Sequence, residues 1–150
     1  MNRRLALFLS LIVILGGYTV YTQYGQKQQV AEAPAGRQGQ ADALLARAFA
    51  DKLSNLQIEG RGVVENILPD DRDGSRHQRF VLRLASGQTL LVAHNIDLAP
   101  RLEELERGDE VGFAGEYEWN PQGGVIHWTH HDPAGKHPAG WLRHDGRTYR

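Results

Sequence analysis

Cysteine is absent from the 150-residue sequence. The chain therefore cannot form a disulfide, bind a metal through thiolates or use a thiol as a nucleophile. An excess of charge of either sign is also missing, because 17 Lys and Arg residues stand against 18 Asp and Glu residues. Hydrophobic residues make up 41% and charged residues 23% of the chain. This ordinary globular composition excludes wholesale disorder and a membrane protein with several spans.

The balanced total charge hides an uneven distribution along the chain. Residues 1–40 hold four basic groups and one acidic group, which leaves 13 basic and 17 acidic groups for the rest. General nucleic-acid binding relies on a cationic surface, and this mildly acidic remainder lacks one. We therefore expect no nucleic-acid partner.

The first 26 residues carry the longest uncharged run. No charged residue occurs in the 22 residues from Leu5 to Gln26, which follow Arg3 and Arg4. A helix needs ~20 apolar residues to cross a bilayer, and basic flanking residues stay on the cytoplasmic side. We expect residues 1–26 to anchor the protein in the inner membrane in a single pass, with its domain in the periplasm. The alternative is a signal peptide cleaved near Ala31-Glu-Ala33, which would leave a periplasmic or secreted protein.

Two short segments follow the membrane segment. Residues 27–40 are rich in Gln, Gly, Ala and Pro and predict a flexible tether. Residues 41–54 predict an amphipathic helix that docks on the following domain or, alternatively, on a partner protein. Its apolar stripe contains Ala41, Leu44, Leu45, Ala48, Phe49 and Leu53, and its solvent face contains Asp42, Arg47, Asp51 and Lys52.

From residue 55 to residue 150 the apolar pattern changes to a period of two, which indicates strands. A short helix, Pro100–Arg107, is expected between the third and fourth strands and is stopped by Gly108. This order is typical of a mainly β fold, a small five-stranded OB-like barrel. An SH3-like barrel is the main alternative, but it would lack the helix. The Asp145-Gly146 dipeptide predicts an added C-terminal hairpin. The five expected strands are Ile58–Leu68, His77–Leu84, Thr89–His94, Glu110–Trp119 and Val125–His131.

The turn at residues 120–123 fixes an expected register for the last two barrel strands. Tyr117 should lie opposite Ile126, and Gly115 opposite Trp128, where the glycine leaves room for the indole. The same register places Glu116 opposite His127 on the polar face. We predict a Glu116–His127 cross-strand pair, which is either structural or part of a metal, acid–base or ligand-binding site.

Seven histidines raise the question of a metal site. In a straight strand, however, His127 and His131 are separated by ~13 Å, which is too far to share an ion. The cluster can chelate a metal only if the chain bends at His130-His131 or if His77, His94 or His144 joins it from elsewhere in the fold. Zinc is accordingly the alternative to the expectation of no cofactor, with His127, His130 and His131 as its candidate ligands. The full set of candidate ligand-binding residues is Glu116, Glu118, His127, His130, His131, Asp132, Arg76 and Arg79.

Several strings resemble a small bacterial family known as a domain of unknown function. They are Gly-Glu-Tyr-Glu-Trp-Asn at 115–120, Gly-Gly-Val-Ile-His-Trp-Thr-His-His-Asp-Pro at 123–133, Arg-His-Gln-Arg-Phe at 76–80 and Ala-His-Asn-Ile-Asp-Leu-Ala-Pro-Arg at 93–101. The resemblance covers residues ~57–150 and implies an exported bacterial domain, because members often follow an export signal. It implies no activity, substrate or cofactor.

No phosphate-binding loop, Gly-x-Ser-x-Gly or His-Glu-x-x-His motif occurs, and no residue is identified as catalytic. We expect a non-enzymatic, membrane-tethered binding domain of the cell envelope, with an envelope protein or a glycan as its ligand. One alternative is a metal-dependent hydrolase, possibly a nuclease, centred on Glu116, His127, His130, His131 and Asp132. The other is a structural assembly scaffold that binds partners through the 41–54 helix.

Overall fold

The computed structural model describes residues 36–150. The expected membrane segment and most of the expected tether lie outside these residues. Within 36–150, no helix is both long and apolar enough to span a bilayer. The described residues form one helix, α1 (36–50), and seven strands: β1 (Leu56–Asp71), β2 (His77–Arg83), β3 (Thr89–Asn95), β4 (Glu110–Glu118), β5 (Val125–His127), β6 (Trp141–His144) and β7 (Arg147–Tyr149).

Strands β1 to β5 form a closed ring in the order β1-β2-β3-β5-β4, with β4 returning to β1. The long strand β1 pairs with β4 through its first half and with β2 through its second half. The pairing of β3 with β5 is parallel, whereas the other neighbours in the ring are antiparallel. The prediction of a mainly β fold built on five ring strands is confirmed.

The interior of the ring is filled by the alternate side chains of its strands. On β2, Phe80 and Leu82 are buried between partly exposed neighbours, as the period of two predicts. Each such side chain contributes roughly 1.5–3 kcal/mol of hydrophobic free energy on burial. Fully buried residues on the other strands are Leu90, Val92, Val111, Phe113, Tyr117, Ile126 and Leu142.

Helix α1 packs on the ring through Leu45 and Ala48, both fully buried. The expected solvent face was partly wrong, because the Asp42 carboxylate is buried. It accepts hydrogen bonds from the backbone N–H of Ser86 at 2.9 Å and from the side chain of Gln38 at 2.6 Å. Conversely, Leu44 and Leu53 are expected on the apolar stripe, but both side chains are exposed.

The segment between β3 and β4 contains turns and no helix, which corrects the expectation for Pro100–Arg107. The side-chain amide of Gln78, on β2, forms hydrogen bonds with both the N–H and the carbonyl of Leu102. It donates to the Leu102 carbonyl and accepts from the Leu102 N–H, both at 2.9 Å. Glu104 also has a left-handed φ of 57°. The left-handed φ of Glu104 is incompatible with a continuous right-handed helix, and the Gln78 hydrogen bonds hold the backbone of Leu102 in its irregular conformation.

The C-terminal hairpin β6–β7 is present as expected. Asp145 and Gly146 form its turn with φ values of 46° and 71°, the conformation that favours Asp-Gly in two-residue hairpins. Strand β6 pairs with β4, and Leu142 extends the core.

Candidate functional site

One edge of β4 is shared by two strands that follow one another in the chain. Strand β5 pairs with residues 116–118 of β4, and β6 pairs with residues 112–114. The intervening residues 128–140 are here called the His loop. This loop leaves the sheet where β5 ends, next to Gly115 of β4, and rejoins the sheet where β6 begins. A hydrogen bond joins the two ends of the loop: the N–H of Gly140 donates to the carbonyl of His130 at 3.0 Å. A compact loop with adjacent ends is a frequent carrier of function.

Glycine is required where the His loop meets β4. A Cβ atom on Gly115 would collide with the carbonyl oxygen of His127, and one on Gly140 with the carbonyl oxygen of Trp128. The close approach of these backbones therefore fixes where the loop begins and ends.

Trp128 turns the chain out of β5. Its φ of 52° lies in the left-handed region, so the strand ends at His127 rather than continuing to His131 as expected. The expected pairing of Gly115 with Trp128 was also wrong, because Ile126 and Thr129 are the side chains nearest Gly115. A bulky residue with positive φ is strained, and such residues concentrate at functional sites.

Asp132 organises the interior of the His loop. Its carboxylate accepts hydrogen bonds from the backbone N–H groups of Ala134 at 2.8 Å, Lys136 at 2.7 Å and His137 at 3.0 Å. These donors, that of Ala134 first, lower the pKa of the Asp132 carboxyl and keep it ionised. Asp132 therefore acts on the loop backbone and holds His137 in place.

His137 connects the His loop to the polar face of the sheet. Its imidazole stacks on the indole of Trp128, with ring centroids 3.8 Å apart and planes 12° from parallel. Its Nδ1 atom lies 3.2 Å from Glu116 Oε2 and donates to it, since a carboxylate can only accept. Sequence reasoning did not identify His137, because nothing in its spacing shows that the loop folds back onto β4.

The polar face of β4 and β5 carries a converging group that we call the polar cluster: Glu116, Glu118 and His127. One ligand atom from each residue lies within 4.8 Å of the other two. The expected register is confirmed, since Glu116 is opposite His127 and Tyr117 is opposite Ile126. Within the cluster, Glu116 Oε1 lies 3.8 Å from His127 Nε2, too far for a hydrogen bond.

The Nε2 atom of His127 is buried and has no hydrogen-bond partner among residues 36–150. An unsatisfied buried nitrogen costs ~1–3 kcal/mol, so such atoms are rare in folded proteins. Burial lowers the pKa of this imidazole, and the carboxylates of Glu116 and Glu118 oppose the shift without cancelling it. The cluster thus holds a neutral imidazole nitrogen beside two carboxylates.

A family model described as a protein of unknown function (DUF3465) matches residues 30–150. The chain belongs to this family. The resemblance inferred from the sequence is therefore confirmed at the level of a family of unknown function. No curated protein has a significant sequence match to the chain.

The two other histidines proposed as ligands lie outside the polar cluster of this DUF3465 domain. His130 is buried, and its Nδ1–H donates to the carbonyl of His131 at 2.8 Å. The side chain of His131 is exposed. The structure thus brings together Glu116, Glu118 and His127 from the candidate set, and His137 joins them through Glu116.

The two candidate arginines are engaged elsewhere. Arg76 forms an ion pair with Asp97, with Nε 2.6 Å from Oδ1. The guanidinium of Arg79 donates to the carbonyl of Pro69 at 3.1 and 3.0 Å. The first contact ties the residue before β2 to the turn after β3, the second joins β2 to β1, and neither partner belongs to the polar cluster.

His94 is a core residue that links β3 to the base of the His loop. Its Nε2–H donates to the carbonyl of Pro100 at 3.1 Å, and its Nδ1 accepts from the Thr129 hydroxyl at 2.8 Å. Burial is the main cause that lowers the pKa of this imidazole to about 4. His94 is therefore neutral at physiological pH and serves the fold.

A separate open cavity of about 400 Å³ lies beside the C-terminal hairpin. Its wall includes His144, whose Nε2 is 2.9 Å from Asp109 Oδ2. The N–H of Glu106 is the main cause, and His144 the second, of a lowered pKa for the Asp109 carboxyl. The other lining residues are mostly acidic: Glu103, Glu104, Glu106, Glu110, Asp145, Arg147 and Tyr149.

Proposed function

We propose that the protein is an exported, membrane-tethered OB-type barrel that binds a ligand in the bacterial cell envelope and is not an enzyme. The OB-type assignment is supported by the ring order β1-β2-β3-β5-β4 with a parallel β3–β5 contact. Barrels of this type are binding modules for many ligands. The barrel type alone does not identify the ligand, so the site must supply that argument.

The location is supported by the sequence of residues 1–26. Two arginines precede a run of 22 uncharged, mainly apolar residues, which is the pattern of a segment that crosses the inner membrane with its N-terminus in the cytoplasm. The domain at 36–150 would then lie on the periplasmic side.

The binding role is carried by one observation, the buried and unpartnered Nε2 atom of His127. The adjoining carboxylates of Glu116 and Glu118 are held on rigid strands, and Glu116 is oriented further by His137. A polar group that is fixed in place but unsatisfied is suited to receive a partner from a ligand. The nearest hydroxyl on the loop, that of Thr129, is buried and bonded to His94, so it is not available as a nucleophile.

Export is tested with alkaline phosphatase, which is active only outside the cytoplasm, fused after residue 150. We expect an active fusion in the membrane fraction for the full chain and an inactive, soluble fusion for a chain that starts at residue 27. An active but soluble full-length fusion, cleaved near Ala33, would replace the anchor with a signal peptide. An inactive full-length fusion would contradict the proposed location.

A further inference from the structure

We propose that Glu116, Glu118 and His127 bind one divalent transition-metal ion, for which Zn²⁺ is the probe. The proposal names the ligand of the binding site inferred above and therefore rests on the proposed function. It concerns the polar cluster on the outer face of β4 and β5, and it needs no contribution from another chain.

The geometry of the cluster is close to that of a metal site. Ligand atoms bound to Zn²⁺ at ~2.1 Å in a tetrahedron lie ~3.4 Å from one another. Glu116 Oε1 and His127 Nε2 are 3.8 Å apart, and Glu118 completes a triangle with sides no longer than 4.8 Å. Small rotations of the two glutamate side chains would shorten these distances to those of a zinc site, while the paired backbones of β4 and β5 stay in place.

The type of donor selects the class of ion. Ca²⁺ and Mg²⁺ prefer sites built from oxygen, whereas an imidazole nitrogen favours zinc and its transition-metal neighbours. Two carboxylates also balance the charge of a divalent cation. Three protein ligands leave one tetrahedral position for water or for a group from a partner.

The surroundings of Glu116 match the support that metal ligands usually have. The Nδ1–H of His137 donates to Glu116 Oε2, which leaves Oε1 directed toward His127. His137 is itself held by its stack on Trp128 and by the hydrogen bond from its backbone to Asp132. Such outer contacts orient a ligand and tune its affinity, so His137 is a positioning residue for this site.

A cross-strand ion pair alone does not account for this arrangement. If pairing were the purpose, His127 Nε2 and a carboxylate oxygen would approach to hydrogen-bond distance. Instead the atoms remain 3.8 Å apart, and the buried Nε2 atom has no partner in the part of the chain that the structure describes. A cation between the three ligand atoms would satisfy all of them at once.

The test uses the full-length chain, purified in detergent through an affinity tag without histidine and stripped of metal with a chelator. Zn²⁺ is titrated by calorimetry, and bound zinc is measured by elemental analysis after dialysis. We expect one zinc per chain. The Glu118→Gln and His127→Gln variants should each bind Zn²⁺ at least tenfold more weakly, whereas His131→Ala should match the parent chain within twofold, because His131 is an exposed histidine outside the cluster.

A His137→Phe variant tests the positioning role. Phenylalanine keeps an aromatic ring for the stack on Trp128 but cannot donate to Glu116. We expect a tenfold to hundredfold loss of Zn²⁺ affinity, the range found for outer-shell contacts. With Co²⁺ as the probe, its visible absorption spectrum should also change relative to the parent chain, which a purely structural role for His137 would not cause.

Zinc below about 0.1 equivalent per chain after dialysis, or equal losses in His131→Ala and Glu118→Gln, would overturn the metal site. Circular dichroism establishes whether each variant is folded, and the isosteric Glu118→Gln decides the outcome if His127→Gln does not fold. The phosphatase fusions report export whether or not Glu116, Glu118 and His127 bind Zn²⁺. A chain that is exported but binds no Zn²⁺ therefore contradicts this inference alone, and a zinc-binding chain that is not exported contradicts the proposed location alone.

Discussion

The imidazole of His137 lies flat against the indole of Trp128, with 3.8 Å between the ring centroids, although the two are nine positions apart along the chain. The stack joins the first residue of the His loop to a residue near its end. It is held from one side by the turn at Trp128 and from the other by the hydrogen bonds of Asp132. The shape of the loop therefore depends on a few polar contacts, which can be removed one at a time.

Asp132→Ala should loosen the His loop while the ring of strands remains folded. Three backbone N–H groups lose a charged acceptor, so we expect a lower free energy of unfolding. Trypsin should cleave the variant faster after Lys136, which is exposed within the loop. Asp73→Ala, an exposed aspartate in the turn between β1 and β2, is the matched control and should leave the rate of cleavage at Lys136 unchanged.

His94 should make the fold sensitive to mild acid. Because its pKa is about 4 in the folded chain and about 6.5 in the unfolded chain, protons bind the unfolded state first as the pH falls. The stability contributed by neutral His94 is complete above pH 6.5, declines below it and is lost at about pH 4. The shift corresponds to about 3 kcal/mol.

Urea unfolding at several pH values between 7 and 4 measures this effect. In His94→Gln, an amide can still donate to Pro100 but does not titrate, so the dependence on pH should become shallower. The lowered pKa of His127 acts in the same direction in both chains, and the difference between them isolates His94. Identical slopes for the parent chain and His94→Gln would contradict the assignment of His94 as a neutral core residue.

Asp42→Ala should weaken the docking of α1. The carboxylate is buried and accepts from Ser86 in the turn between β2 and β3, so its removal leaves that N–H without its acceptor. We expect a loss of about 2 kcal/mol in thermal or urea unfolding. Asp51→Ala is the control, because the exposed Arg47–Asp51 pair contributes less than about 0.5 kcal/mol. Equal effects of the two variants would show that Asp42 does not fasten the helix.

Two glycine-to-alanine substitutions should have opposite signs. In Gly115→Ala the new methyl group meets the backbone of β5, so we expect a loss of about 2 kcal/mol and disturbed pairing of Glu116 with His127. Gly39→Ala lies in α1 with no atom near its Cβ position, and the better helix former should add ~0.5–1 kcal/mol. Thermal unfolding measures both, and a stable Gly115→Ala would mean that the two strands can separate there without cost.

The sequence predicted the features that depend on local alternation and turn chemistry. The polar residues Glu116 and His127 could be paired in advance because a short Asn-Pro-Gln-Gly turn fixes which residues of adjoining strands face one another. The same reasoning failed at Trp128, because β5 stops at the point where the edge of β4 begins to pair with β6. That competition comes from a segment more than ten residues further along the chain.

The helix expected at Pro100–Arg107 is a second feature that the sequence predicted wrongly. Its apolar spacing is compatible with a helix, yet the buried amide of Gln78 binds the backbone of Leu102 from another strand. The burial of Asp42 has the same origin, since its partner Ser86 is 44 residues away. His137 could not be found because its approach to Glu116 depends on the folded path of the whole loop. Contacts between distant residues decided each of these cases.

Because β5 and β6 pair with separate parts of a single edge of β4, each strand is positioned by its own backbone hydrogen bonds to β4. Closure of the ring through β5 and attachment of the C-terminal hairpin through β6 are thus separate contacts, which the His loop joins.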